Sequence, residues 1–266
     1  MRVRELLETT KGRLPLYELE VILSSLLGKE RYELYTEPID TSDHLLKEFL
    51  RIVSIREKGF PLQYLLKSAP FRDLSLFIDE RVFIPRPETE ELIEKIIFLG
   101  LKPKLIVDIG TGSGNIAIAL ARLYKEARII ATDISKDALR VAEINIRRYG
   151  LDSRIEPILI DLSPSDIEAD LIISNPPYIR TSEISTLPLS VKYEPRIALD
   201  GGEDGLSLIK RIILKAPKLL KKGGVLALEI SPDLKASIEK TVPLEFENLL
   251  FEKDLRGVYR FCLLFR

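Results

Sequence analysis

Cysteine and histidine are almost missing, with Cys262 and His44 the sole examples in 266 residues. One cysteine leaves no disulfide framework and no thiolate metal site. One histidine leaves no histidine metal cluster and argues against a Ser-His triad, so no metal is expected. An excess of charge is missing too, with 40 basic against 41 acidic side chains. A strong basic field is therefore absent, which argues against a protein that lives on DNA or RNA. No run approaches 18 uncharged apolar residues, and Met1-Arg2-Val3-Arg4-Glu5 leads into no apolar stretch of signal-peptide type. A cytoplasmic, monomeric enzyme with no membrane segment is expected. Four Asn, one Gln and one Met beside 30% charged residues resemble a heat-adapted composition. What is present, 45% hydrophobic residues, suffices for a full core and two domains.

Two compositions meet between about residues 70 and 85. Before them, apolar residues recur at helical spacing, as in Leu6, Leu7, Leu14, Leu16, Leu19, Val21, Ile22 and Leu26, then Leu45, Leu46, Phe49, Leu50, Ile52 and Val53. Gly28 and Pro38-Ile39-Asp40 punctuate the pattern, and Asp40 or Ser42 can cap the next helix. Residues 1–70 are therefore expected to form a small helical bundle. Residues 71–84 alternate and are rich in β-branched and aromatic side chains, which predicts a hairpin linker. From residue 85 to 266 short apolar runs (105–109, 128–132, 155–160, 170–174, 224–230) alternate with helical segments (88–99, 114–124, 135–149, 205–220, 232–240). This alternation predicts an α/β fold with a mainly parallel sheet and helices on both faces. The runs 244–251 and 257–265 are expected to close the sheet as an antiparallel pair.

The run Leu105-Ile106-Val107-Asp108-Ile109 passes through Gly110-Thr111-Gly112-Ser113-Gly114 into a helix. Three alternate glycines let the backbone turn tightly and approach a ligand. Asp108 stands at the carboxyl end of the strand, where open parallel sheets bind ligands. Asp133 follows the next strand about 20 residues on, where a carboxylate accepts from ribose hydroxyls. A dinucleotide fingerprint spaces its glycines G-x-G-x-x-G around a pyrophosphate. Here the spacing is G-x-G-x-G behind an acid, which repels a pyrophosphate and suits the α-ammonium of S-adenosylmethionine. Asp161 and the Leu162 N–H, after the third strand, are candidates for holding the adenine.

The fourth strand ends in Asn175-Pro176-Pro177-Tyr178. With this composition the tetrapeptide arises by accident in about one chain in two thousand. An amide or aromatic NH₂ is a poor nucleophile because its lone pair is delocalised. A site that accepts both N–H hydrogens pulls the nitrogen toward tetrahedral geometry and aims the lone pair at a methyl donor. The Asn175 side-chain oxygen and the Pro176 carbonyl are the two expected acceptors, since proline fixes φ and brings no competing donor. Pro177 and Tyr178 complete the expected substrate site, with Tyr178 a flat wall against a planar group. Asn175, Pro176 and Tyr178 are thus the expected catalytic residues, acting by positioning and electrostatics. Asn175 also borders the cofactor. The residues themselves predict methylation of a planar NH₂, either a protein amide or the exocyclic amino group of adenine or guanine in DNA or RNA.

With both motifs in place, the chain resembles the release-factor glutamine methyltransferases over nearly its whole length. The segments carrying the likeness are Gly59–Leu65, Phe83-Ile84-Pro85-Arg86-Pro87-Glu88-Thr89-Glu90, Asp108–Gly114, Asn175–Tyr178 and Glu194–Gly205. The resemblance implies a class I, Rossmann-like mixed seven-stranded sheet behind a small N-terminal helical domain, whose helices are expected either to grip the substrate protein or to serve as a stabilising cap. It implies transfer from S-adenosylmethionine, leaving S-adenosylhomocysteine, to the glutamine side chain of the Gly-Gly-Gln loop of peptide-chain release factors. By it, Gly110 to Gly114, Asp133 and Leu162 line the cofactor and Asn175 to Tyr178 hold the glutamine. Arg86 and Glu88 orient either the methionine end or the loop nearby, or simply start a helix. Position 162, which the family often fills with an aromatic side chain, is leucine here, which implies weaker adenine stacking.

Overall fold

The computed structural model describes residues 3–36 and 40–266, so Pro38 and Ile39 lie outside the described residues. The chain divides into two compact units. One runs to Ser68 and also takes Pro188–Tyr193; the other holds Ala69–Leu187 and Glu194–Arg266.

The first unit contains α1 (Val3–Thr9), α2 (Leu16–Leu27), α3 (Glu33–Thr36), α4 (Asp43–Arg56) and α5 (Leu62–Leu66). Leu6, Leu7, Leu19, Ile22, Phe49, Ile52 and Val53, read above from their spacing, form its core together with Leu23 and Leu34. Ser42 is the residue that caps α4, its Oγ accepting the Leu45 N–H at 3.2 Å. Two acids on α2 are buried but paired. Glu18 receives both Arg56 Nε and Nη2, at 2.6 and 2.9 Å, and Glu20 accepts from Arg31 and Tyr35. Residues 188–193 belong to this unit through local packing. A Cβ at Gly59 (φ +89°) would lie 2.9 Å from Leu189 Cδ2, and the Phe60 and Tyr193 rings meet edge to face at 4.8 Å.

The second unit opens with a short antiparallel pair, β1 (Ala69–Phe71) and β2 (Leu74–Leu76), turning at Arg72 (φ +53°). The pairing therefore sits at 69–76, and residues 77–86 make no strand, unlike the longer hairpin read for 71–84. The reason is side-chain competition. Asn145 takes both polar groups of Phe77, accepting its N–H at 2.7 Å and donating to its carbonyl at 2.9 Å, and Tyr149 does the same to Ser75. Asn145 and Tyr149 stand one helical turn apart, so they imitate a neighbouring strand.

Then come α6 (Pro87–Phe98), β3 (Leu105–Ile109), α7 (Asn115–Leu123), β4 (Arg128–Asp133), α8 (Lys136–Arg148), β5 (Ile155–Leu159) and β6 (Ala169–Ser174), followed in sequence by α9 (Leu189–Lys192), which belongs to the first unit. The chain ends with α10 (Ser207–Lys215), β7 (Leu220–Glu229), α11 (Lys235–Glu239), β8 (Asn248–Lys253) and β9 (Tyr259–Phe265). The seven strands lie in the order β5-β4-β3-β6-β7-β9-β8, with β9 antiparallel to β7 and β8 and the rest parallel. The expected mixed seven-stranded sheet is present. Val107, Ile109, Ile172, Leu226 and Leu228 pack toward Ile209, Ile212 and Ile213 of α10, while their neighbours Ile106, Leu171, Ile173 and Ala227 are also fully buried. Burial on both faces explains why these strands read as unbroken apolar runs. The helix read over 205–220 stops at Lys215, because Pro217 removes a donor and β7 has begun by Leu220. Cys262 is buried in β9, which pushes its thiol up to about 12; His44 is exposed on α4.

Asn145 also donates to the Ser113 carbonyl at 2.9 Å, so one buried amide joins the 77–86 segment to the glycine loop. Asn145→Ala is expected to cost about 3 to 5 kcal/mol, since it leaves the part-buried Phe77 N–H and carbonyl and the buried Ser113 carbonyl unpaired. Urea unfolding should show a lower midpoint at an unchanged slope; a loss below about 1 kcal/mol would contradict this role.

Candidate active site

Strand order reverses between β3 and β6. The chain moves outward through β4 and β5, returns, and continues on the other side, so a crevice opens at the carboxyl ends of β3 and β6. Both sequence motifs stand there. Ser174 Oγ donates to the Ile109 carbonyl at 2.6 Å and pins the two strand ends together.

On the β3 side, Gly110, Gly112 and Gly114 all take left-handed φ, +73°, +54° and +81°. An added Cβ at Gly110 or Gly112 would meet nothing within 4 Å, whereas at Gly114 it would touch Ala142 and Ile118 at 3.4 Å. The first two glycines thus border open space, and the third lets α7 pack on α8. The Gly110 and Thr111 N–H groups both donate to the Thr132 carbonyl at 2.8 Å. Asp133 Oδ2 accepts the Gly112 N–H at 2.9 Å and Oδ1 accepts the Ser135 N–H at 2.8 Å. This carboxylate locks loop to strand while keeping spare lone pairs, and burial raises its pKa.

Asp108 is fully buried beneath the loop. Its Oδ2 accepts from the Thr111 hydroxyl at 2.6 Å, and its Oδ1 is buried with no hydrogen-bond partner among the described residues. Burial raises the carboxyl to about 7, against the opposing pull of the Thr111 hydroxyl and the Ala117 backbone N–H. Ser113 is buried in the same turn. Beyond β5, Asp161 is exposed and its Oδ2 accepts from Arg211 Nη2 at 2.5 Å, so its carboxylate is already engaged from α10. Leu162 holds a left-handed φ of +71° with its side chain in the core, and its carbonyl accepts from the Thr132 hydroxyl. A leucine in this conformation costs about 1 to 2 kcal/mol and persists because its side chain is packed in the core and its carbonyl is bonded.

On the β6 side, Asn175 and Tyr178 are half-buried and Pro176 is buried. Asn175 Nδ2 donates to Thr89 Oγ1 at 2.9 Å. Among the described residues neither Asn175 Oδ1 nor the Pro176 carbonyl accepts a hydrogen bond. Thr89 Oγ1 donates onward to Glu229 Oε2 at 2.7 Å, and the Tyr178 hydroxyl approaches Glu229 Oε1 at 3.4 Å. Glu229 is 2% exposed, and burial raises its carboxyl to about 7. Burial, then the Glu229 charge, holds the Tyr178 phenol well above its ordinary value.

The backbone of Pro177 and Tyr178 is gripped from behind. Ile179 N–H donates to the Leu199 carbonyl at 3.1 Å, and Gly201 N–H to the Ile179 carbonyl at 2.8 Å. A Cβ at Gly201 would fall 2.8 Å from Tyr178 Cα, and at Gly205 (φ +76°) 2.6 Å from the Tyr178 carbonyl oxygen. Arg86 lies 4.6 Å over the Phe83 ring and pairs with Glu194, whose Oε2 accepts the Ile84 N–H at 3.0 Å. Burial keeps Glu194 above the usual carboxylate range despite that partner. Arg86 therefore ties the Phe83–Glu90 motif to the 194–205 loop. Thr89, Glu194, Gly201, Gly205 and Glu229 carry no individual role in the sequence motifs, although all but Glu229 sit inside Phe83–Glu90 or Glu194–Gly205.

Among the described residues no three His, Cys, Asp or Glu side chains are grouped as metal ligands, and no helix is long and apolar enough to cross a membrane.

A family model described as Methyltransferase small domain matches residues 89–188, and one described as PrmC N-terminal domain matches residues 2–66. The release factor glutamine methyltransferase of Clostridium acetobutylicum is 34% identical, covering 100% of this chain and 96% of that protein. That of Chlorobaculum tepidum is 38% identical, covering 97% and 95%. The chain belongs to the release factor glutamine methyltransferase family. As a member it is a methyltransferase. A solved structure of the T. thermophilus 16S rRNA N2 G1207 methyltransferase, in complex with AdoMet and guanosine, superposes with a TM-score of 0.54 at 17% identity, over 75% of this chain and 49% of that one. That likeness shows the common fold.

Proposed function

We propose that this enzyme transfers the methyl group of S-adenosylmethionine to the side-chain amide nitrogen of the Gly-Gly-Gln glutamine in peptide-chain release factors. The observation that carries the reading is the pair of open acceptors at the tip of β6, Asn175 Oδ1 and the Pro176 carbonyl. A primary amide has two N–H hydrogens to give them.

The residues at the end of β3 suit the cofactor. Gly110 and Gly112 leave room for a ligand against the backbone, and Asp133 has lone pairs left for ribose hydroxyls. The buried Asp108 Oδ1, which accepts no hydrogen bond among the described residues, suits a cationic donor. The Leu162 N–H, which has no acceptor among the described residues, suits an adenine nitrogen. Asp161 is the weaker candidate, being ion-paired with Arg211. Once bound, the cofactor supplies an electrophilic methyl on a sulfonium sulfur.

The chain's own residues then act by geometry. Asn175 Oδ1 and the Pro176 carbonyl accept the two amide hydrogens, bend the nitrogen out of its plane and turn its lone pair toward the methyl. The same two oxygens stabilise the positive charge that grows on nitrogen. Tyr178 and Pro177 flank the planar amide. The product's extra proton leaves to water, so no general base is required. The helical unit, together with residues 188–193, is the proposed grip on the protein substrate.

The test offers labelled S-adenosylmethionine with an intact release factor, its Gln→Ala variant in the Gly-Gly-Gln loop, and adenine-containing DNA. Label on the intact release factor alone is expected. Label on DNA would replace this reading with nucleobase methylation.

A further inference from the structure

The side chain on which the proposed reaction turns, Asn175, has an amide whose two ends are nearly the same shape and opposite in hydrogen-bonding sense. With the oxygen toward the substrate nitrogen it accepts; turned by half a rotation it presents a second NH₂, and donor faces donor. Something in the protein must choose between them.

The geometry points to Thr89 and Glu229 as positioning residues for the transfer: the Glu229 carboxylate fixes the direction of a hydrogen-bonded relay through Thr89 that holds Asn175 Oδ1 toward the substrate nitrogen. This inference rests on the function proposed above. An ionised carboxylate can only accept. Glu229 Oε2 lies 2.7 Å from Thr89 Oγ1, so the single hydroxyl hydrogen of Thr89 points to Glu229. Thr89 Oγ1 then has only lone pairs to offer Asn175 at 2.9 Å. Asn175 must answer with Nδ2, and Oδ1 is turned to the open side. Thr89 and Glu229 are 1% and 2% exposed, so water does not compete for these bonds. The relay spans three elements, from the end of β7 through the first turn of α6 to the tip of β6. The other oxygen of Glu229 faces the Tyr178 hydroxyl, so one carboxylate steadies both the acceptor and the wall of the site.

The direction depends on charge. The groups facing Glu229 are Thr89 and Glu88 from α6, Tyr178 after β6 and Arg260 from β9; burial and Glu88 raise its pKa, while Thr89, Arg260 and Tyr178 lower it. Protonated Glu229 can itself donate to Thr89, and the relay no longer has a compulsory sense. The rate is therefore expected to fall as pH drops through about 7, where Glu229 takes up its proton.

The experiment compares wild type with Thr89→Val, Thr89→Ser and Glu229→Gln, measuring methylation of the release factor between pH 6 and 8.5 alongside a thermal melt of each protein. Thr89→Val is expected to lower kcat about tenfold to a hundredfold with KM for the release factor little changed. Thr89→Ser should retain most of the wild-type kcat, because it keeps the hydroxyl. Glu229→Gln should lose kcat similarly and lack the acid limb of the pH profile, because its amide has no preferred sense. Wild-type kcat in Thr89→Val, or an unchanged profile in Glu229→Gln, overturns the inference. So does a Thr89→Ser enzyme as slow as Thr89→Val, which would assign the residue to packing. A wild type that leaves the release factor unlabelled overturns the functional reading itself, whereas an active wild type beside unimpaired variants overturns the relay alone.

Discussion

Asn175→Ala is expected to reduce turnover by about a hundredfold to a thousandfold or more while leaving affinity for S-adenosylmethionine within about threefold. The substitution removes one of two acceptors that are engaged most strongly as charge grows on the amide nitrogen, so the loss falls on the chemical step. The cofactor contacts proposed at Gly110, Gly112, Asp133 and Leu162 belong to other strand ends and are not broken. The variant should fold normally, since Asn175 is half-buried and its Nδ2 bond to Thr89 is the one it forfeits. Single-turnover transfer of label, with a calorimetric titration of cofactor, separates the two quantities. Turnover near the wild-type value would end the acceptor role assigned to this side chain. A large loss of cofactor affinity would move Asn175 into the cofactor site instead.

The second large effect is expected from a residue with no side chain. Gly205→Ala should lower stability by about 2 to 4 kcal/mol and turnover by about a hundredfold. A methyl group there would lie 2.6 Å from the Tyr178 carbonyl oxygen, at a φ of +76° that alanine adopts at a cost. The backbone of Pro177 and Tyr178 cannot retreat freely, because a Cβ at Gly201 would already lie 2.8 Å from Tyr178 Cα and 2.9 Å from the Pro177 carbonyl oxygen, and Ile179 is bonded to both Leu199 and Gly201. The strain therefore moves the segment that carries the Pro176 carbonyl. Gly223→Ala is the matched control: φ is +78°, but a Cβ meets nothing within 4 Å. It should lose only about 1 kcal/mol and keep its activity. Equal behaviour of the two variants, in melting and in rate, would show that conformation and not close approach governs Gly205.

Much of the architecture was legible because it is written in contiguous residues. The strands β3, β4 and β6 are short apolar runs, and the glycine loop and Asn175–Tyr178 are single stretches at strand ends. What escaped is what only folding brings together. Thr89 and Glu229 touch across 140 residues of sequence, and Arg86 and Glu194 across 108; neither acid is marked by its neighbours as a partner. Asp161 looked like a ligand-facing acid because nothing in its own segment shows Arg211 approaching from α10. The hairpin was read too late and too long, since alternation alone does not reveal that Asn145 and Tyr149 satisfy Phe77 and Ser75 in place of a strand. Glycines 201 and 205 are plain in the sequence, yet their meaning lies in the carbonyl that each one faces.

The assignment of residues 188–193 to the helical unit has a practical corollary for anyone dissecting the enzyme. The polypeptide passes from one body to the other three times, at 68/69, 187/188 and 193/194. A clone starting at Ala69 would still encode Leu189 and Tyr193 but not Gly59 and Phe60, the surfaces they rest on. Such a fragment would differ from the full protein inside the stretch that joins Tyr178 to Glu194, so its loss of activity could not be charged to missing substrate contacts alone. Point changes on the helices are the cleaner instrument.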